Sequence, residues 1–586
     1  MKHKIPIGSY IVKNWWRYLI GMTALGASVA FDIWSPLVIA AIVDDVIIGH
    51  ETALLWRYLC YILIIGFGRA ISQYVKEFTM DVTGAGVACD IRRNLFGHIQ
   101  RLGRQYFDRN NTGELMARVN DDVNRLWDVF GFVGMLVIEA TAYLIGAITV
   151  MLKVNWRLAL IPIACLPFLG FIAIFLEKKL DKIYDDISEA NAELNTVVQE
   201  NLSGVRTVKS FAREYFEIDK FRKKNDKYAE LNIREAYLMA RIDPYITFIP
   251  KVMQLGVLLY GGYMVIEGQI TWGILVAFIS YAGNIVWPME NLGWLTNAVA
   301  AAVASTKKIN KILEQEPEIA DAPDALKVTP EEITGELEFS HVDFSLHGQK
   351  ILSDVSFTLP QGHTLGIMGV TGSGKSTIVN LIDRFYDVES GAVLLDGMDI
   401  RKLPIKTVRN ASSVVTQDVF LFSDSIRENI RLGSGDRMEE ETVKEALEGA
   451  CASEFVDKLG EGRDTVIGER GVGLSGGQKQ RISIARALAR DAKILILDDA
   501  TSALDMETEY KIQQELAGRT RTSKIIIAHR ISSVRNADEI LVLSGGSIAE
   551  RGTHEELMAR KGLYYSTYEA QYGDYHNALL AMGKEA

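Results

Sequence analysis

Residues 364–385 read TLGIMGVTGSGKSTIVNLIDRF. TLGIMGV is a short apolar strand, and it runs straight into Gly369-Val370-Thr371-Gly372-Ser373-Gly374-Lys375-Ser376-Thr377, after which STIVNLIDRF has the spacing of a helix. That order and spacing, GxxxxGK[ST] between a strand and a helix, is a P-loop. Its glycines let backbone N–H groups close round phosphates at a helix N-terminus, with Lys375 reaching the β- and γ-phosphates and Ser376 ligating Mg²⁺. The expected ligands are therefore ATP and Mg²⁺.

Further along, KILILDDATSALD (493–505) carries four apolar strand residues, Ile494 to Leu497, ending in two acids. Asp498 is the expected outer carboxylate of the Mg²⁺ site, and Asp499 occupies the position of the base that aligns the attacking water. Simple strand-end capping is the alternative reading of such a pair, and the P-loop upstream disfavours it. ELEFSHVDFSL and SDVSFTL, which precede the P-loop, alternate like strands, so an α/β domain is expected over 336–586. Before it, KKINKILEQEPEIADAPDALKVTPEEITG (307–335) is charged and Pro-interrupted and reads as a linker.

The remaining 1–306 is of a different kind. Hydrophobic residues make up 48% of a chain that is also 23% charged, a combination that requires segregation, and the long apolar runs lie before about residue 300. Six stretches are long enough to cross a bilayer: about 18–43, 54–80, 130–152, 158–176, 245–266 and 270–290. An even number puts both ends on one side. The domain that meets ATP must be cytosolic, so the N-terminus is expected there too. The opening basic and aromatic stretch, with Trp15 and Trp16 between Lys13 and Arg17, reads as an interfacial segment leading into a retained helix rather than a cleaved leader.

Two joints, about 81–129 and 177–244, are long, charged and helical in period, and read as membrane helices running on into the cytosol. Each has one polar interruption, at Asn110 to Gly113 and at Ser203-Gly204, where the membrane half could touch the ATPase or simply turn. Asp32 and Glu139 lie inside spans, where ionisable groups are costly. They are candidates for a substrate path that binds cations, or else carboxylates satisfied by another helix. Pro36 is expected to kink the first span. The net charge of −11 excludes nucleic acid as the main partner, and the four scattered cysteines exclude a disulfide framework.

LSGGQKQRISIARAL (474–488) lies between the P-loop and the acid pair, and with it the chain resembles the ATP-binding-cassette proteins, whose signature is LSGGQ. The resemblance implies that Ser475, Gly476, Gly477 and Gln478 hold the γ-phosphate of ATP bound on another subunit's P-loop. It also makes Gln417 in VVTQDVFLF the Q-loop glutamine and a Mg²⁺ ligand, Ser502 to Asp505 the D-loop, and His529 in IIIAHR the switch histidine. Glu469-Arg470-Gly471 is likewise the family's element before the signature. The whole chain resembles the exporters that fuse an all-α six-helix transmembrane domain with long cytosolic loops to an α/β P-loop ATPase domain containing an inserted helical subdomain.

Two positions depart from the family. Members that hydrolyse ATP well carry Glu where this chain has Asp499, and the shorter side chain withdraws the carboxylate by about 1.5 Å when a base must reach within roughly 3 Å of its proton. The adenine-stacking aromatic, expected two residues after Phe344, is Leu346. A weak site beside an intact signature resembles the degenerate-site half of the heterodimeric bacterial multidrug exporters. The implied function is ATP-driven export of a small lipophilic substrate across the cytoplasmic membrane, with a different half-transporter as partner. A homodimer, a lipid translocator of the same build and an ATP-gated regulatory protein are the alternatives. No processing domain precedes the first span in this sequence, which points away from peptide maturation.

Overall fold

In a computed structural model of the chain, the described residues are 7–433, 438–468 and 471–581, so Glu469 and Arg470 lie outside them. The chain forms two compact units, one of residues 1–101 and 110–316, the other of 102–109 and 317–586.

The first unit is helical. Among the described residues, five continuous helical stretches are long and apolar enough to cross a membrane. The expected third and fourth spans share one of them, because the helix Phe132–Ser203 is broken at Asn155, whose backbone is extended (φ −155°, ψ 105°). Asn155 Oδ1 accepts from the N–H groups of Arg157 and Leu158, each at 3.1 Å, and so caps the helix that follows. Pro36 does not end the first span. Trp15–Ala41 runs through it and continues as a wider π-helical turn, Ile42–Ile48. The two polar interruptions are turns as read. Asn111 caps Thr112–Ala117 by accepting from Gly113 N–H at 2.8 Å, and Gly204 separates Phe132–Ser203 from Val205–Ser210.

These helices share a core that contains Leu25, Met80, Ala147, Leu158, Val257 and Tyr281. On the cytosolic extension, Ser305 Oγ donates to the buried Asp122 at 2.7 Å, and Arg118 adds an ion pair at 2.8 Å. The last helix, Leu292–Leu313, continues seven residues into the stretch read as linker.

In the second unit, β1 (Leu337–Leu346), β2 (Gln349–Leu359), β4 (Ser390–Leu395) and β5 (Met398–Asp399) form an antiparallel sheet in the order β2-β1-β4-β5. β3 (Thr364–Gly369), β6 (Ser412–Val415), β7 (Ile494–Asp498), β8 (Ser523–Ile527), β9 (Glu539–Ser544) and β10 (Ser547–Gly552) form a second sheet in the order β10-β9-β3-β8-β7-β6. Pairing is parallel from β9 to β6, and β7 is buried at all five positions, as a strand covered on both faces must be. A separate core joins Ile430, Val443, Ala446 and Ile484, which belong to the helices Ile426–Arg431, Glu440–Gly449 and Gly476–Leu488. These are the inserted helical subdomain. The segment Leu102–Arg109 is part of this second unit: Tyr386 donates its hydroxyl to Asp108, and Arg109 lies 3.9 Å from Glu318.

Candidate functional site

Parallel strands put their C-terminal ends on one edge of a sheet, and loops leaving that edge converge. Ile527 of β8 pairs with Ile367 of β3 on one side and Asp498 of β7 on the other, while Leu497 pairs with Val415 of β6. The glycine loop leaves β3, His529 follows β8 by two residues, Asp498 ends β7, and Gln417 follows β6 by two residues. Motifs spread over 160 positions of sequence are thereby brought to one edge, with Asp499 N–H tied to Ile527 O at 2.9 Å.

The loop itself requires glycine. Gly374 sits at φ +101° at the N-terminus of Lys375–Ile382, and a Cβ there would lie 2.6 Å from Leu352 Cδ2. Gly369 has φ +151°, and its Cβ would meet Leu543 O at 2.5 Å. Within this loop the Ser373 hydroxyl is buried with no hydrogen-bond partner, and Lys375 Nζ donates to Gly369 O and Val370 O at 2.8 and 2.9 Å. The Ser376 hydroxyl bonds the Asp498 carboxylate.

Burial pushes the Asp498 carboxyl above its ordinary range. The Ser376 bond and the charges of Lys375 and His529 oppose that shift, and the neighbouring Asp499 adds to it. Burial also lowers the Lys375 ammonium, against the pull of Asp498 and Asp499. Two carboxylates, a buried ammonium, an unpartnered hydroxyl and a helix N-terminus in one place suit a polyphosphate with a divalent cation. The residues present fit MgATP.

The signature is built separately. Ser475 caps the helix Gly476–Leu488 through a reciprocal box: its Oγ accepts from Gln478 N–H at 3.3 Å, and its own N–H donates to Gln478 Oε1 at 2.8 Å. Gln480, one turn on, fastens this helix to 502–503, accepting from Ala503 N–H at 3.0 Å and donating to Ser502 Oγ at 3.2 Å. Among the described residues, no hydrogen bond joins Ser475 to Gln478 with the same chain's P-loop. Leu346 ends β1 and packs on the domain core, while His347 and Gly348, at φ +51° and +79°, make the two-residue hairpin turn to β2.

Sequence spacing gave no sign of Gln571. Its Nε2 donates to His529 O at 2.6 Å and its Oε1 accepts from Ile531 N–H at 3.0 Å, so the C-terminal helix Leu563–Ala581 grips the backbone at the histidine and just after it.

In the first unit, Asp32 and Glu139 both line a cavity of about 780 Å³ with Arg69, Gln73 and Asn284. Neither is a free anion. Asp32 accepts from Arg69 Nε at 2.7 Å, and Glu139 from the fully buried Lys76 at 2.7 Å. Each carboxylate is thus paired with a cation on another helix while it lines the cavity. Arg69 and Lys76 were missed because neither interrupts its apolar run enough to mark a partner.

A family profile described as the ABC transporter transmembrane region matches residues 18–289, and one described as ABC transporter matches 352–502. The chain is 38% identical to an uncharacterized ABC transporter ATP-binding protein, YknU, of Bacillus subtilis (strain 168), over 95% of each chain. It is 37% identical to a putative multidrug export ATP-binding/permease protein, YgaD, of the same organism, over 94% of each. It is 34% identical to an ATP-dependent lipid A-core flippase of Syntrophus aciditrophicus (strain SB), over 95% of this chain and 92% of that one. Among solved structures, a bacterial Atm1-family ABC exporter with ATP bound superposes with a TM-score of 0.80 at 26% identity, over 95% of this chain and 98% of that one.

Proposed function

This chain belongs to the ABC transporters, as an exporter transmembrane region fused to an ATP-binding domain, and from that premise we propose that it is the slow-site half of a heterodimeric exporter of amphipathic or hydrophobic compounds. It is a multi-pass membrane protein with a cytosolic ATPase domain coupled to transport. The observation that carries the heterodimer reading is Asp499. Its main chain is fixed to β8, so its carboxylate cannot move forward to replace the missing methylene of a glutamate.

Gly369 to Thr377 hold the phosphates of ATP, and Lys375 leaves the loop carbonyls to neutralise them. Ser376, Gln417 and Asp498 hold Mg²⁺, which when bound offsets phosphate charge. His529 donates to the γ-phosphate, and Ser475 to Gln478 complete the partner's site. The capping box supports that last role, because a fixed helix N-terminus presents its free N–H groups in one direction. Leu102–Arg109, which packs within the ATPase unit, is the element through which nucleotide state reaches the membrane half.

The substrate reading draws on relatives named a putative multidrug export ATP-binding/permease protein and an ATP-dependent lipid A-core flippase. The test is an ATPase titration of the purified chain alone and with its co-expressed partner. Little turnover alone and robust turnover together is the expected result; robust turnover alone would leave the homodimer.

A further inference from the structure

Two helices leave the expected fourth and fifth spans on the cytosolic side, and their charges are sorted by face. A pocket of about 980 Å³ between them is lined by Lys178, Lys179, Lys182, Arg234 and Arg241, with Asp186 as the single acid among the described residues. The spacing 178, 182, 186 and 234, 238, 241 is that of one helix face on each side. Two acids of the same stretches are engaged elsewhere: Asp181 accepts from Asn297 Nδ2 at 3.2 Å, and Glu235 accepts from the Tyr184 hydroxyl at 2.9 Å.

Further from the membrane the same helix neutralises its lysines. Lys220, Lys223, Lys224 and Lys227 are paired with Glu200, Asp219 and Glu193. Among the described residues Lys178, Lys182, Arg234 and Arg241 form no ion pair. Among the described residues this pocket thus gathers positive charge that no carboxylate neutralises.

The pocket opens at the level of the lipid headgroups. Lys178 and Arg241 lie two and four residues beyond the expected span ends at 176 and 245, and about 1.5 Å of rise per residue leaves both at phosphate depth, with Lys182 and Arg234, six and eleven residues beyond, further into the cytosol. Aromatic side chains accompany them, as at a membrane interface: Lys179 Nζ sits 4.7 Å over the Phe175 ring, and Tyr237 is exposed. Basic pockets between membrane helices on the cytosolic side recognise anionic head groups, and each Lys or Arg near such a surface strengthens binding roughly fivefold.

We propose that this pocket binds the phosphate head of an anionic phospholipid drawn from the cytosolic leaflet. The site is distinct from the ATP site and from the cavity that holds Asp32 and Glu139, and does not depend on the heterodimer reading. Arg241 provides planar donors for the phosphate oxygens, Lys178 and Lys179 supply charge beside it, and Lys182 and Arg234 extend the positive field below.

The test is native mass spectrometry of the full chain, in its purified assembly, released from nanodiscs of phosphatidylcholine with or without phosphatidylglycerol. Phosphatidylglycerol should remain bound, and the variant K178Q/K182Q/R234Q/R241Q should lose that retention by at least about tenfold while phosphatidylcholine adducts stay unchanged. The single variants K182Q and R241Q, at exposed positions, should each give a partial loss, and K182R should keep wild-type retention. Equal retention by wild type and the quadruple variant, or by R241Q and wild type if the quadruple variant does not fold, overturns the proposal. Displacement of the lipid by millimolar inorganic phosphate would assign the pocket to a soluble phosphate instead. ATP-dependent movement of labelled phosphatidylglycerol across vesicles, lost in R241Q, would make it a transport site and also overturn the proposal.

Discussion

The side chain of Gln571 donates to the main-chain oxygen of His529 over 2.6 Å, and 42 residues of sequence separate the two. The same carboxamide accepts from Ile531 N–H at 3.0 Å, so one residue of the C-terminal helix fixes the exit of β8 at the histidine proposed to donate to the nucleotide. Gln571→Leu is expected to lower the kcat of the assembled exporter roughly fivefold, the effect of losing one net hydrogen bond, while the KM for ATP moves less than about twofold. Steady-state ATPase kinetics decide it. An unchanged kcat would mean that the histidine is positioned without this helix.

The ion pairs inside the membrane half give a second expectation. Lys76 has no exposed side-chain surface and is 2.7 Å from Glu139. Glu139→Gln leaves a buried ammonium without its counter-charge, which costs about 3–5 kcal/mol, whereas replacing both partners with apolar residues of similar size is close to neutral. Thermal unfolding of purified protein should therefore show Glu139→Gln as much less stable than the double variant Lys76→Met, Glu139→Leu. If the carboxylate served cation binding instead, the single variant would fold normally and lose only the transport of cationic compounds.

Much of the ATPase domain was legible because its chemistry is local. The P-loop, the acid pair and the Ser475-x-x-Gln478 capping box are each written within a few residues, and spacing alone identifies the elements they sit on. The partners of Asp32 and Glu139 were not legible, since helical period tells which face a residue occupies and not which helix will meet it. Gln571 was invisible for the same reason: a lone glutamine in a polar helix has no pattern. The third and fourth spans were read correctly as two, although their helices run together save for Asn155.

Acid should loosen the cytosolic end of the membrane half. Burial would raise the Asp122 carboxyl, but the hydrogen bonds from Ser305 and Arg118 and the charges of Arg118 and Lys308 outweigh it and hold the group below its usual 3.8. A depressed carboxyl contributes stability that is fully present above the unfolded value and is lost as pH falls through the folded one. Wild-type protein should therefore lose stability below about pH 4 more steeply than Asp122→Asn, which should already be weaker at pH 7 by about 1–3 kcal/mol. Paired melts of the two proteins from pH 7 downward test this, and parallel curves would remove Asp122 from the account.

The reach of Asp499 is the most direct test of the slow-site reading. Its backbone is held by Ile527 O and adopts φ +49°, a conformation that aspartate tolerates better than most residues, so the position of Cβ is set and only side-chain length remains adjustable. Asp499→Glu advances the carboxylate by about 1.5 Å, and a base brought within reach contributes about 10²-fold or more. The ATPase rate of the purified chain should rise at least tenfold by this single change, even after some loss to strain at the positive φ. Asp499→Asn should alter the assembled complex less than about twofold, because a carboxylate that is too short contributes little as a base. Gly477→Ala, whose Cβ would lie 3.0 Å from Ala503 O at the start of the signature helix, should abolish nearly all turnover in the same complex. One titration of the three variants separates the cases. Should Asp499→Asn prove as damaging as Gly477→Ala, with Asp499→Glu bringing no gain, then Asp499 is a working base and a homodimer with two active sites replaces the unequal pair.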